Sequence, residues 1–150
     1  MKDRRTIILD GGMGTMLQAR GMKAGEDSTA FALAHPDVLE DVARQYLEAG
    51  SQFVYTPTFN LTREKVAGLG ETVESLCLKL SEPARRLRAE YAEKGRTILI
   101  GFDMGPQGEL VEPLGRLTFE DAYDFLRPAG EGSGCLRCGC GCHRNHDRHL

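Results

Sequence analysis

A single carboxylate is followed by three glycines in four positions near the start of the chain, in the stretch Asp10-Gly11-Gly12-Met13-Gly14. A tight turn needs one glycine, or two. Three strip the backbone bare enough for another group to come close to it. The plainer alternative is a βα turn at Asp10-Gly11-Gly12 with Gly14 as a helix-packing contact. A second constellation lies far along the chain. Cys135, Cys138, Cys140, Cys142 and His143 fall within nine residues and are chemically able to bind a metal. A structural metal knuckle usually sets two ligand pairs well apart and supports them with apolar residues, and this stretch does neither.

The elements that position the glycine stretch follow from apolar spacing. Residues 6–9, Thr-Ile-Ile-Leu, predict a short buried strand ending at Asp10. Residues 15–20 predict a helix stopped by Gly21, and residues 23–30 a polar loop. Residues 36–49 give the clearest helix: Pro36 suits its first position, Val38, Leu39, Val42, Tyr46 and Leu47 share a face, and Gly50 ends it. A second strand is expected from residue 52, ending at Pro57, and a short helix over 62–68. A long helix is expected over 73–92, with Pro83 able to split or kink it. Residues 96–102 predict a third strand. A glycine-rich loop follows, and then a helix from Leu117 to Leu126 capped by Thr118. The order β-α-β-α-β-α implies parallel strands with right-handed crossovers, and such folds place their chemistry at the carboxyl ends of the strands.

Bulk properties narrow the function classes. The chain has 150 residues, 41% hydrophobic and 27% charged, which suits a globular domain with a real core. Nineteen Lys and Arg against 22 Asp and Glu leave a net charge of −3, which argues against nucleic acid as a partner. No apolar run approaches a membrane span, and the amino-terminal residues do not form a secretory signal. A cytoplasmic location is the expectation. A phosphate-binding barrel using Gly11–Gly14 would need a further glycine-rich loop near later strands, and the sequence has none.

Three stretches taken together, "ILDGGMGTMLQARG", "AGSQFVYTPTFNLTREKVAGLG" and "GFDMGPQGELVEPLG", resemble the homocysteine S-methyltransferase family over residues 6–125. That family includes the homocysteine-binding barrel of cobalamin-dependent methionine synthase and the betaine-dependent enzyme. The resemblance implies an α/β fold, the amino-terminal part of a (β/α)8 TIM barrel with about three βα units. It also implies methyl transfer to a zinc-bound homocysteine thiolate, giving methionine. By the same resemblance the substrate-binding residues are Asp10, Gly11, Gly12 and Met13 in the first loop and Thr56, Thr58 and Phe59 in the second. Asp10 would pair with the substrate ammonium or fix the loop. The glycine amides would receive the substrate carboxylate in the manner of an anion nest. Thr56 and Thr58 could equally satisfy strand-end backbone groups. Asp103 is the polar group worth testing in the third loop. The implied partners are homocysteine and a corrinoid-binding domain or protein. Methylcobalamin, betaine and S-methylmethionine all stay open as donors.

The sequence departs from the family in three places. Pro57 stands where the family has Asn in the second loop, which puts a contact to substrate or donor in doubt. The three zinc-binding cysteines of the family, one in a Gly-x-Asn-Cys motif and two in a Cys-Cys pair, are absent, so no metal ligand and no catalytic residue is assigned here. Finally, the pattern dies after Phe125. The expected organisation is a partial barrel domain over 1–126 and a non-native, disordered tail over 127–150. The chain as it stands is then inactive. The alternative is a small metal- or ligand-binding module built on the Cys cluster.

The genetic code accounts for the tail. Codons for residues 139–149, read from their second base with CGx for arginine, permit Gly-Ala-Asp-Val-Ile-Glu-Thr-Met-Thr-Asp-Ile in order. That string resembles the family's fourth-strand motif, whose glutamate binds substrate. A frameshift between about Phe125 and Gly139 is the expectation. The coding DNA should therefore give this string in the shifted frame, and a stop codon or unrelated residues there would refute the frameshift.

Overall fold

The computed structural model describes residues 6–132. Parallel pairing sets its frame. Strand β1 (Phe53–Tyr55) lies beside β2 (Leu99–Gly101), with Phe53 opposite Leu99 and Tyr55 opposite Gly101. On the other edge of β1 the first segment joins through a bridge from Leu9 to Phe53. There Gln52 N–H donates to Ile8 O at 2.8 Å, and Asp10 N–H donates to Phe53 O at 3.1 Å. Spatial order thus follows chain order, and helices fill the crossovers.

The helices are α1 (Met13–Gln18), α2 (Ser28–Ala34), α3 (Pro36–Glu48), α4 (Arg63–Leu69), α5 (Val73–Glu93) and α6 (Phe119–Gly132). Their caps explain their starts. Thr62 accepts from Lys65 N–H, Thr72 from Ser75 N–H and Thr118 from Asp121 N–H. Gly70 ends α4 in the left-handed conformation, at φ 65°.

Four expectations need correction. Residues 6–9 do not form a buried strand. Ile7, Ile8 and Leu9 are 49%, 57% and 48% exposed, because a parallel segment is buried only when it has neighbours on both edges and helices on both faces. Residues 23–30 are not all loop, since α2 starts at Ser28. Asp27 caps it, accepting from Thr29 N–H at 2.8 Å and Ala30 N–H at 3.2 Å, and Phe31 and Ala32 then enter the core. Pro83 does not split the long helix, for α5 runs through it with Pro83 buried. The last helix runs past residue 126 to Gly132. The remainder of the 127–150 segment, with the Cys cluster, lies outside the described residues.

Helix–sheet packing makes the main core. Ala43 and Leu47 of α3 meet Ala84, Leu87 and Tyr91 of α5 over Val54, Ile98 and Ile100. A second cluster joins Leu17, Met22, Phe31, Ala32, Leu39 and Leu80, and so seats α1 and α2 on α3 and α5. Arg96 clips two units together. One of its guanidinium nitrogens donates to both Leu47 O and Ser51 O at 2.6 Å, and its plane lies 5.1 Å from the Tyr91 ring. Among the described residues no helix is long and apolar enough to cross a membrane. Leu87 has no exposed surface. Leu87→Ala is expected to lower the unfolding free energy by about 2–5 kcal/mol in urea titration, through lost burial and a residual cavity.

Candidate functional site

Asp10 ends the first segment at the point where its pairing with β1 stops. Its Oδ2 accepts from Tyr55 N–H at 2.8 Å, so the carboxyl bridges two adjacent strand ends. Its Oδ1 is sealed from water and has no hydrogen-bond partner. Burial is the main cause that pushes the Asp10 carboxyl up to about 6, aided by the charge of Asp103 and opposed by the Tyr55 and Asp10 N–H groups. Burial also raises Asp103 from its ordinary value. Two carboxyls that both resist ionisation therefore sit at the ends of the two segments that flank β1.

The glycines differ in what they do. A Cβ on Gly11 would stand 2.9 Å from the Tyr46 ring of α3, so that position needs glycine for a close approach. Gly12 is the residue before α1, and its carbonyl accepts from Tyr46 Oη at 3.2 Å. Gly14 has open space around it, so the packing contact considered for it in the sequence does not form. Met13 packs against the cluster around Leu17.

The second loop follows β1. Thr56 and Thr58 are buried, and their hydroxyls are 2.9 Å apart. Thr56 Oγ1 also reaches Gly101 O at 3.3 Å. Thr58 Oγ1 lies 2.8 Å from Asp103 O and receives Asp103 N–H at 3.2 Å. Around Pro57 the backbone closes through Thr58 N–H to Thr56 O at 2.8 Å. Both hydroxyls thus serve the backbone of the β2 end. Phe59 is half exposed, and its carbonyl lies so close to Gly105 that a Cβ there would collide with it. The two loops interlock, which puts Asp10, Asp103, Thr56 and Thr58 on one rim.

Sequence reasoning missed Tyr46, which it placed only on the apolar face of its helix. The one signal was a hydroxyl on a face otherwise made of Val and Leu. The described residues do not fit a catalytic metal. Among the described residues no three His, Cys, Asp or Glu side chains converge, and Cys77 is buried in α5 beside Leu76, Val73 and Phe102. A groove lined by Glu82, Arg85, Arg88, Ala92, Thr97 and Ile98 lies toward the amino end of β2, opposite the rim.

This parallel α/β fold carries a buried carboxyl oxygen and a glycine turn at its strand ends, the place where folds of this class bind small ligands. Residues 7–141 match the family model described as homocysteine S-methyltransferase, and the chain belongs to that family. It is 32% identical over 133 residues to the methionine synthase of Mycobacterium tuberculosis, covering 80% of this chain and 11% of that protein. It is 31% identical over 96 residues to the betaine–homocysteine S-methyltransferase 1 of Danio rerio, covering 63% and 24%. The crystal structure of the metallated form of the homocysteine methyltransferase MmuM from Escherichia coli superposes with a TM-score of 0.71 at 29% identity. That match covers 89% of this chain and 52% of MmuM, so the chain spans about half the length of its solved relative and far less of the longer ones.

The raised Asp10 carboxyl has a consequence for stability. Its folded value, about 6, exceeds the ordinary 3.8, so the folded state holds the proton more tightly. The stability this gives is fully present below pH 3.8 and is lost as pH rises through about 6. Asp10→Asn should remove that loss. The stability of the variant relative to wild type should rise across this window in urea titrations at stepped pH, and a flat difference would place the carboxyl in water.

Proposed function

We propose that the chain is the homocysteine-binding, amino-terminal portion of a homocysteine S-methyltransferase, with residues 6–9, β1 and β2 as the first three strands of a (β/α)8 barrel. One observation carries the reading: Asp10 Oδ1 is buried without a partner in a chain of this family. A buried acceptor without a donor is costly, and an amino-acid ammonium brings both the donor and the positive charge. The glycine amides suit the carboxylate of the same substrate. Thr56 and Thr58 hold the loop backbones in place, and Met13 and Phe59 add apolar surface. On this reading, binding homocysteine is the share of the methyl transfer that falls to the described residues. The methyl donor, whether methylcobalamin on a corrinoid protein or a small methylated molecule, engages the enzyme elsewhere. The shifted-frame reading of residues 139–149 supports the assignment, because it supplies the motif that would come next.

Calorimetric titration with L-homocysteine tests the proposal. Asp10→Asn should weaken binding roughly ten- to a hundredfold, as loss of a charge-assisted contact does. Wild-type affinity should rise with pH through about 6, as Asp10 ionises. Unchanged affinity in a folded Asp10→Asn protein would reduce the glycine stretch to a turn.

A further inference from the structure

We propose that Tyr46 is a positioning residue that clamps the glycine loop from α3. The proposal rests on the substrate-binding reading of residues 10–13. Tyr46 is half-buried on a helix face whose other members, Leu39, Val42 and Leu47, are fully packed. Its hydroxyl donates to Gly12 O at 3.2 Å. Its ring edge and hydroxyl both stand 2.9 Å from where a Gly11 Cβ would be, so the ring occupies the space that the missing side chain leaves. The peptide group is planar, with its carbonyl and N–H pointing opposite ways. Holding the Gly12 carbonyl toward α3 therefore fixes the Met13 N–H to point away from it. The same seam is fastened further along, where Leu17 packs with Leu39 and Arg20 pairs with Asp41 at 2.9 Å. At the glycine end Tyr46 supplies one hydrogen bond and one close contact from α3, while the Thr15 hydroxyl of α1 donates to the same Gly12 carbonyl at 3.2 Å, so Tyr46 is the contact that ties the loop to α3.

Two substitutions reach this contact from opposite sides. Tyr46→Phe keeps the ring and removes the hydrogen bond. Gly11→Ala keeps the hydroxyl and pushes the ring aside, because the atoms it meets are the far end of a side chain that can turn. Each should weaken L-homocysteine binding by roughly three- to tenfold, the range for one neutral hydrogen bond. The double variant should be no weaker than either single, since both break one contact. The thermal midpoint of Tyr46→Phe should stay close to that of wild type. In the ligand-free chain, amide exchange over residues 12–16 should quicken in Tyr46→Phe. Unchanged exchange there, or additive losses in the double variant, would overturn the clamp. If the wild-type chain takes up no homocysteine, the substrate reading fails, and the exchange rates alone decide the clamp.

Discussion

Asp10 is held twice by β1: its N–H donates to Phe53 O, and its carboxyl accepts from Tyr55 N–H. The site depends on this double attachment. It fixes the first segment against the sheet although only Leu9 forms a bridge there. It also draws the carboxyl out of water, leaving one oxygen without a partner and the proton tightly held. A carboxylate so placed sets a physical constraint on what can lie against it. A neutral group leaves it buried and unanswered, whereas a cation answers both its charge and its empty lone pairs.

The second constraint is the lock between the loops. One hydroxyl, that of Thr58, serves both the N–H and the carbonyl of Asp103, and the second loop leaves no room for a side chain on Gly105. These contacts tie the second loop directly to the third. They also explain why hydroxyl residues suit this position. A valine at 58 would match the shape and strand both polar groups of Asp103.

Much of this was legible in the sequence. Leu39, Val42 and Leu47 mark α3, and Leu76, Leu80 and Leu87 mark α5, because apolar residues at helical spacing record which face is buried. Asp10 and Gly11 stood out because a carboxylate beside bare backbone is unusual, and the structure gives both a close approach, Asp10 to Tyr55 N–H and Gly11 to the Tyr46 ring. Other features were hidden. α2 was hidden because Asp27, its cap, sits among Gly, Glu, Ser and Thr, a composition shared with turns. The exposure of Ile7 and Ile8 was hidden because hydrophobicity reports what a side chain prefers, not whether a neighbour covers it. Tyr46 was hidden because its partner, a backbone carbonyl 34 positions away, leaves no mark on local spacing.

Arg96 gives the order of synthesis a structural meaning. Its guanidinium satisfies Leu47 O and Ser51 O, at the end of α3 and the entry to β1, from 49 and 45 positions further along the chain. A ribosome delivers α3 and β1 first. Until residue 96 emerges, Ser51 O lacks this donor and Leu47 O has only the N–H groups of its own helix end, Gly50 N–H at 3.2 Å among them. The helix and strand can therefore form early, but their junction is sealed only when the third unit begins. A guanidinium suits the task, because one terminal nitrogen carries two N–H groups in a fixed plane while the same group lies over the Tyr91 ring. At this junction, then, the third unit completes the second.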